Sequence, residues 1–299
     1  MVKKNKKPAI SLGWILIAVM TLLITATVVG LLNRSKEEES LTPGSATHPH
    51  VFNYGPDGET VWLGTHMGAF EYKKGKWTRT LPSLRQNDVM ALEINPSDRE
   101  NIIVSGHGFV KRTENGGKSW ADIEEGLPNK PKPNLPDAHQ LTMDPNNPAH
   151  LVTLLAGQGD NVYESKDGGT TWSVIGKIPA TSYSISFAPL NSSSILAGSE
   201  TGLYRYDLID GGLKETKISN EPAFQVNTLA DGRVIVMNEG GFMLTSDLKT
   251  WDPLHIVLDE GDMPLGIKAS NIDPNRLLIV TQNLSIYESK DNGLNWSKL

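Results

Sequence analysis

The chain contains no cysteine, so it can form no disulfide, carry no lipid-modified cysteine and use no thiol nucleophile. Its formal net charge is −6, and it lacks the basic stripe expected of a nucleic-acid binder. It also lacks a G-x-S-x-G elbow, which gives no support to Ser-His-Asp chemistry. These absences exclude cysteine catalysis, and they predict that nucleic acid is not a partner.

Charge is also absent from residues 8–33. The apolar stretch 9–32 is long enough to cross a bilayer as one helix. Lysines precede this stretch, which favours a cytoplasmic N-terminus, and no A-x-A-like cleavage site follows it. We therefore expect a cytoplasmic basic tail (1–8), a single transmembrane helix (9–32) that anchors the chain in the cell membrane, and an extracytoplasmic remainder. A cleaved signal peptide is the alternative.

Residues 33–47 are first charged and then rich in Ser, Pro and Gly. This composition is typical of a flexible linker. We expect it to connect the membrane anchor to a folded domain that begins at residue 48.

Three segments repeat the pattern S-x-D-x-G-x-x-W. It occurs at 165–172 and 289–296, and a looser copy, with Thr and Asn in place of Ser and Asp, occupies 113–120. The pattern suits a tight hairpin, because the Asp side chain can accept hydrogen bonds from turn amides and the Gly can take a positive φ. The Trp can then wedge between two sheets.

Tryptophan follows the same repeat. Trp77, Trp120, Trp172, Trp251 and Trp296 are separated by 43, 52, 79 and 45 residues, and the interval of 79 spans two units of which one lacks its Trp. The chain therefore contains six units of about 40 residues. A proline-rich loop (residues 128–136) accounts for the longer interval of 52.

Within each unit the apolar runs are short and rich in β-branched residues, as in 101–105 and 276–280, and after residue 32 no segment sustains a helical period. Four strands per unit at this period predict an all-β fold, a six-bladed β-propeller over residues 48–299. The predicted blades are 48–83, 87–128, 137–179, 181–219, 222–259 and 262–299.

The repeats resemble Asp-boxes, also called BNR repeats, which are hairpin elements of sialidases, sortilin-type receptor domains, some xyloglucan hydrolases and a photosystem assembly factor. The chain is more closely similar to bacterial exported or membrane-anchored Asp-box propellers that carry H-x-H at the domain start, then T-H-x-G and S-G-H. The corresponding segments here are His48-Pro49-His50, Thr65-His66-Met67-Gly68 and Ser105-Gly106-His107. That group is commonly labelled glycosylhydrolase, but a superfamily label implies no particular chemistry.

In the families that the chain resembles, the Asp-box joins the third and fourth strands of a blade, away from the ligand site. The resemblance therefore implies a structural role for Asp167 and Asp291. Sialidases clamp their substrate carboxylate with three arginines and carry an R-I-P element near their start. This chain has eight arginines, none of them at the inner-strand positions described next, and no such element, so sialidase catalytic residues are not carried over.

The first strands of blades one to three place polar residues at equivalent positions. When the blades are aligned on their turn prolines, one position holds His48, Asp88 and Asp137, and the position two residues later holds His50, Met90 and His139. In a propeller the first strand of each blade lines the central channel. We therefore expect both sets to point toward the axis or its mouth.

The second strands add two more histidines. Alignment of 64–68 with 198–202 places His66 at the end of a second strand, and His107 takes a related position in the next blade. Because antiparallel strands alternate in direction, the starts of first strands and the ends of second strands share one face. The two sets should therefore converge.

Several imidazoles beside a carboxylate suit zinc or copper, and the nearby thioether of Met90 would suit copper. The metal hypothesis names as ligands His48, His50, His66, His107 and His139. The alternative is that these side chains line a solvated channel and bind nothing.

A second hypothesis is glycoside hydrolysis. Asp88 and Asp137 lie on neighbouring inner strands and could act as acid and base, if their carboxyl groups are about 6.5–9.5 Å apart as in inverting enzymes. Aromatic side chains that could stack on sugars are Trp62, Phe109, Tyr183 and Tyr204, although such residues more often pack between blades.

The leading interpretation is a membrane-anchored binding or assembly module. Rigid blades with variable loops can present a ligand surface, and the linker gives it reach. The channel face and the proline-rich loop are the predicted contact surfaces for a glycan, a protein or a metal ion outside the membrane. No cofactor is required by the sequence beyond a possible zinc or copper ion.

Overall fold

The computed structural model describes residues 40–42, 48–156, 161–179, 181–210, 212–270 and 272–299. The chain divides into two units, residues 1–41 and 42–299. In the first unit the described part contains one short strand, β1 (Ser40–Leu41). The predicted tail and transmembrane helix lie outside the described residues. Within the described ranges, no helix has both the length and the apolar character needed to cross a bilayer.

In the second unit, each of blades one to three contains four consecutive strands, because short β-branched runs alternate with turn residues. Blade one has β2 (Pro49–Tyr54), β3 (Val61–Thr65), β4 (Gly68–Lys73) and β5 (Lys76–Thr80), and a 3-10 helix follows (Pro82–Leu84). Blade two has β6 (Val89–Ile94), β7 (Ile102–Gly106), β8 (Phe109–Thr113) and β9 (Ala121–Asp122). Blade three has β10 (Ala138–Asp144), β11 (Asn147–Leu155), β12 (Asn161–Ser165) and β13 (Ser173–Lys177).

The other three blades repeat this plan. Blade four has β14 (Ser182–Ala188), β15 (Asn191–Ser199), β16 (Gly202–Ile209) and β17 (Gly212–Ser219). Blade five has β18 (Gln225–Thr228), β19 (Val234–Asn238), β20 (Gly241–Thr245) and β21 (Asp252–Leu254). Blade six has β22 (Pro264–Ala269), β23 (Leu277–Thr281), β24 (Ile286–Ser289) and β25 (Ser297–Lys298). The predicted all-β, six-bladed propeller is confirmed.

In every blade the consecutive strands pair antiparallel in chain order. Each first strand contacts the first strand of the next blade, and β22 contacts β2, which closes the ring. The blades bury their apolar faces against each other, with separate hydrophobic clusters at successive blade junctions. The first strands of all six blades contribute to the lining of a central cavity of about 190 Å³, as the sequence predicts.

Tryptophans wedge between neighbouring blades. The indole nitrogen of Trp172, a buried residue of blade three, donates a hydrogen bond to the backbone oxygen of Ile123 in blade two at 2.9 Å. Trp120 of blade two donates to Oγ of Ser83, next to blade one, at 3.0 Å. The repeated Trp therefore joins each of these blades to the one before it.

The Asp side chains of the repeat organise the turns from the third to the fourth strand. Oδ1 of Asp167 accepts hydrogen bonds from the amide of Thr171 and the hydroxyl of Ser165, both at 2.8 Å. The same arrangement recurs around Asp291, where the amide of Asn295 donates at 2.8 Å. These turns lie at the opposite end of the blades from the starts of the first strands, so both aspartates have structural roles.

A β-bulge interrupts the first strand of five blades. In blade one the register shifts between Pro49 and Val51, so His50 is the extra residue, and equivalent shifts occur at the starts of β6, β10, β14 and β22. Bulges re-aim a side chain and are common next to functional sites. The extra residues are His50, Met90, His139, Tyr183 and Leu265.

Candidate functional site

Six of the predicted site residues lie together at the mouth of the channel, in two groups of three. The first triad is His50, His66 and Asp88; the second triad is His107, Asp137 and His139. Within each triad one ligand atom from every side chain lies within 4.8 Å of the other two. The predicted convergence of first-strand starts and second-strand ends is therefore seen in the geometry.

In the first triad the two imidazoles face one carboxylate. Nδ1 of His66 donates a hydrogen bond to Oδ2 of Asp88 at 2.6 Å, and Nε2 of His50 lies 3.2 Å from Oδ1 of the same residue. The two ring nitrogens are 3.3 Å apart, and the rings meet edge to face with an interplanar angle of 80°. The two rings therefore do not stack, and their nitrogens lie close together beside the carboxylate of Asp88.

The second triad has the same form. Nδ1 of His107 lies 2.7 Å and Nε2 of His139 lies 2.8 Å from Oδ1 of Asp137, and the two nitrogens are 3.4 Å apart. Oδ1 of Asp137 is buried, yet no approach by a described residue has the geometry of a hydrogen bond to it. The two ring nitrogens are within hydrogen-bond distance of each other, and both face the same carboxylate oxygen. Nitrogens and a carboxylate oxygen grouped in this way fit the donor set of zinc or copper.

The blade register produces both triads. His66 directly follows β3 and Asp88 directly precedes β6; His107 follows β7 and Asp137 precedes β10, with a backbone bridge between those two residues. Each His–Asp pair thus joins the end of a second strand to the start of the next blade. Within blade two, Gly106 lets the end of β7 lie close to Asp88, because a Cβ at position 106 would lie 1.8 Å from the backbone oxygen of Asp88.

The site is partly open to solvent. The side chains of His66 and His107 are each 45% exposed, whereas those of Asp88 and Asp137 are 16% and 20% exposed. Burial lowers the pKa of His50, and the neighbouring imidazoles lower it further, although the Asp88 carboxylate opposes this. A neutral imidazole is the form that binds metal ions.

A scan against protein-family models and a search of curated proteins both found no match. Solved structures do match. YCF48 in complex with a D1 peptide has 17% sequence identity and a TM-score of 0.54, over 87% of this chain and 83% of that one. The β-propeller domain of Cps50 (Swd1) from Myceliophteria thermophila has 12% identity and a TM-score of 0.54, over 87% of both chains.

The GH74 xyloglucanase from Xanthomonas campestris has 16% identity and a TM-score of 0.55, over 87% of this chain but only 46% of the enzyme. This chain thus spans less than half of the xyloglucanase. These likenesses show a shared propeller fold. They single out neither a binding protein nor a hydrolase.

The propeller places His48 outside both triads. The backbone of His48 has a φ of 38°, and its ring lies edge to face against that of His66, with centroids 5.3 Å apart. The sequence alignment put His48 at the position of Asp88 and Asp137, and this position is preserved. Blade six, however, presents Gln282 at the end of its second strand, so His48 has no histidine partner across that junction.

The opposite half of the mouth combines exposed aromatic and acidic side chains, and Glu200 and Glu239 directly follow its second strands β15 and β19. Tyr183 and Phe224 are 42% and 36% exposed, and the centroids of their rings are 5.9 Å apart. Met263, which directly precedes β22, is 60% exposed. Of the four aromatic residues considered for stacking, Tyr183 is therefore accessible, whereas Trp62, Phe109 and Tyr204 are buried. Phe224 was not predicted, because the first turn of blade five, residues 229–233, has no proline on which the blade can be aligned.

Deeper in the cavity two side chains of opposite charge are half-buried. Glu93 and Lys268 come from the first strands of blades two and six. Burial raises the pKa of Glu93, and Lys268 opposes that rise. Neither residue belongs to the triads.

The proline-rich loop is hydrogen-bonded to Gly108, the residue that follows His107 of the second triad. The amide of Gly108 donates to the backbone oxygen of Pro136 at 2.8 Å, and Nζ of Lys132 donates to the backbone oxygen of Gly108 at 3.0 Å. Gly108 has a φ of 81°, and a Cβ there would lie 1.6 Å from the oxygen of Pro133. The loop therefore flanks His107 directly.

Proposed function

We propose that this propeller is a binding module whose ligand surface is the channel mouth, where the triads hold a divalent zinc or copper ion. One observation carries the proposal, the 3.3 and 3.4 Å separations between paired imidazole nitrogens. A tetrahedral ion with bonds of about 2.0–2.1 Å to nitrogen holds its ligand atoms about 3.3 Å apart. The paired nitrogens thus have the spacing that an ion requires. The carboxylate oxygens lie closer, 2.6 Å from His66 and 2.7–2.8 Å from His107 and His139, so each carboxylate must move outward by about 0.5 Å to share an ion with them.

The exposure of the site supports a role in binding rather than in folding. Structural zinc sites are closed by four protein ligands, whereas three protein ligands leave a position for an outside donor. A triad with His66 or His107 at its solvent-facing side would leave such a position at the mouth. An ion there can accept an oxygen or nitrogen donor from a ligand.

The aromatic pair at the mouth suits a ligand with an extended body. Tyr183 and Phe224 offer exposed aromatic faces on blades four and five, and the proline-rich loop lies on the side of the triads. A similar propeller, YCF48, has been solved with a bound peptide. Its likeness supports a protein ligand for this chain, while sugar rings would also stack on Tyr183.

Metal content tests the proposal. The full chain, purified without a histidine tag, should retain about one or more equivalents of zinc or copper by mass spectrometry after dialysis. The variant His50→Ala with His139→Ala removes one ligand from each triad and should lose the metal. His255→Ala is the matched control, because this exposed imidazole lies outside both triads. A wild-type protein that binds neither ion would refute the proposal.

Glycoside hydrolysis by Asp88 and Asp137 is the second candidate. The observation in its favour is that the two carboxylates flank one imidazole, with Nε2 of His107 3.4 Å from Asp88 and Nδ1 2.7 Å from Asp137. Turnover of a cell-envelope polysaccharide that is lost in Asp88→Asn and Asp137→Asn, but survives metal removal, would favour this function over the binding module.

We propose further that residues 9–32 anchor the propeller on the outer side of a membrane, and that the turns at 165–172 and 289–296 are Asp-boxes. The uncharged apolar stretch supports the anchor, and the hydrogen bonds around Asp167 and Asp291 support the turns. Membrane fractionation with and without residues 1–33, combined with protease accessibility, tests the anchor. Release of the intact chain by carbonate would argue against it.

A further inference from the structure

A level of polar side chains surrounds the central cavity below the mouth. In every blade, one residue of the first strand pairs with the residue three positions before the end of the second strand. These six equivalent positions, the polar ring, hold Asn53, Glu93, Thr142, Ser186, Asn227 and Lys268. All of them except Asn53 line the cavity. One acid, one base and three neutral polar groups therefore face the same space.

The two charged members of the polar ring have no partner of their own. Neither Glu93 nor Lys268 forms a hydrogen bond or an ion pair with another described residue. Burial raises the pKa of Glu93 and the charge of Lys268 opposes the rise, so the two groups act on each other across the cavity. Removing a charge from water is costly unless a partner is close. A ligand that carries both charges would supply both partners.

Neutral members of the ring keep hydrogen-bonding capacity for a ligand. Oγ of Ser186 accepts a hydrogen bond from the amide of Thr228 at 3.1 Å, so the hydroxyl hydrogen is available. Nδ2 of Asn227 donates to the backbone oxygen of Ile267 at 3.2 Å, which leaves Oδ1 of Asn227 as an acceptor. The ring thus offers a donor and an acceptor in addition to its two charges.

Between the polar ring and the mouth the cavity is lined mainly by apolar side chains. Three residues before the ring positions of blades two, four, five and six stand Met90, Tyr183, Phe224 and Leu265, all of which line the cavity. A strand rises about 3.3 Å per residue, so this apolar level lies up to about 10 Å from the ring. A ligand whose polar end is held at the ring would therefore extend an apolar body toward the mouth.

The volume of the cavity limits the ligand. About 190 Å³ is less than the roughly 300–1,000 Å³ of pockets that take drug-sized ligands, so the cavity suits a small molecule. A neutral sugar would leave both charges of the ring unpaired, and a simple anion or cation would leave one. A small zwitterion with an apolar body matches the charges, the lining and the size together.

We propose that the central cavity binds a free α-amino acid with a large apolar side chain. Its ammonium group pairs with Glu93, its carboxylate pairs with Lys268, and its side chain extends toward Met90, Tyr183 and Phe224. This site goes beyond the proposed metal-binding function, because it is separate from the triads and requires no ion.

Isothermal titration calorimetry of the full chain with L-phenylalanine and L-leucine tests the proposal. The buffer contains EDTA, because amino acids also chelate zinc and copper. Both amino acids should bind at a single site. The analogues 2-phenylethylamine, which lacks the carboxylate, and 3-phenylpropionate, which lacks the ammonium group, should bind about tenfold more weakly than phenylalanine or worse, because each leaves one charge of the ring unpaired. The analogues require no variant, so this comparison does not depend on the folding of a mutant.

Variants then locate the site. Glu93→Gln and Lys268→Met each remove one charge of the ring and should weaken phenylalanine binding by about tenfold or more. Glu239→Gln and Lys249→Met are the matched controls, because these exposed side chains lie outside the cavity lining. Both controls should bind as wild type, and circular dichroism should confirm that each variant is folded.

Three results would overturn the proposal. They are no binding of either amino acid, equal affinity for phenylalanine and its two analogues, and unchanged binding in folded Glu93→Gln and Lys268→Met proteins. Because EDTA removes any ion, these results are independent of the metal content that decides the proposed function. Either proposal can therefore fail while the other stands.

Discussion

The indole nitrogen of Trp77 donates a hydrogen bond to the backbone oxygen of Leu284 at 3.2 Å, and so joins the first blade to the last. Each blade pairs consecutive strands of its own, so side chains rather than a shared strand close this ring. Arg276 of blade six adds to the closure through its guanidinium, which lies 2.9 Å from Oε1 of Glu59. These two side-chain contacts add to the contact between β22 and β2 at the junction of the last and first blades.

Replacing Trp77 should open this junction. Trp77 is 4% exposed, so Trp77→Ala is expected to lower the free energy of unfolding by about 3–5 kcal/mol, measured by urea denaturation. Trp77→Phe keeps most of the packing and should cost less, including about 1 kcal/mol for the lost hydrogen bond. Equal urea midpoints for Trp77→Ala and wild type would show that the ring closes by other contacts.

The Asp turns should make stability fall in acid. Hydrogen bonds from Thr171 and Ser165 lower the pKa of Asp167 to about 2, below the value of about 3.9 expected in the unfolded chain. The carboxylate therefore stabilises the fold above the unfolded pKa, and this contribution is lost as the pH falls through about 2.

The urea midpoint should accordingly decline from pH 5 toward pH 2, and Asp167→Asn should show a shallower decline. Asp210→Asn, a substitution at an exposed loop position, serves as the control. An unchanged pH profile in Asp167→Asn would mean that this turn does not couple folding to protonation.

Gly106→Ala should push the first and second triads apart. The added Cβ would lie 1.8 Å from the backbone oxygen of Asp88, so the end of β7 must shift away from the start of blade two. We expect a loss of about 1–3 kcal/mol in unfolding free energy. Calorimetry should also show weaker binding of zinc or copper.

Gly240→Ala is the matched control, because its Cβ would meet nothing closer than 3.3 Å. Metal affinity should be unchanged in this variant. If Gly106→Ala binds metal as tightly as wild type, the close approach of His107 to Asp88 is not needed for the centre.

Lys132→Met should loosen the proline-rich loop without unfolding the propeller. Nζ of Lys132 pairs with Glu124 and donates to the backbone oxygen of Gly108, but the lysine side chain is 48% exposed. The Glu124 side chain is 10% exposed and also accepts a hydrogen bond from the amide of Val110, so losing the half-exposed pair should cost about 1 kcal/mol. Faster amide hydrogen exchange at residues 107–110, with little change in the urea midpoint, is the expected result. Equal exchange rates would show that the backbone contact to Pro136 holds the loop alone.

The repeat made most of the fold predictable. The spacing of Trp77, Trp120 and Trp172 reports blade length directly, and the prolines of the first turns fix which residues share a position on the inner strands. The sequence alone therefore places His50 and His139 on one face. The membrane helix, which lies outside the described residues, and the binding of metal both remain predictions.

Other features depend on geometry that a repeat does not encode. A β-bulge turns His50 toward the mouth, but nothing in a single sequence marks His50 as the extra residue of that strand. The two-sided position of His107 arises because it lies between Asp88, at the start of its own blade, and Asp137, at the start of blade three. The contact between Lys132 and Gly108 joins segments that no local pattern relates.

The register that pairs His66 with Asp88 and His107 with Asp137 continues around the ring. At the next junction the same two places hold Ala156, which follows β11, and Thr181, which precedes β14. The double variant Ala156→His with Thr181→Asp should thus place a third His–Asp pair at the junction of blades three and four, without a change in the backbone. Gene duplication of a blade would copy the pair in the same way, so the number of His–Asp pairs around such a ring can change by whole blades during evolution.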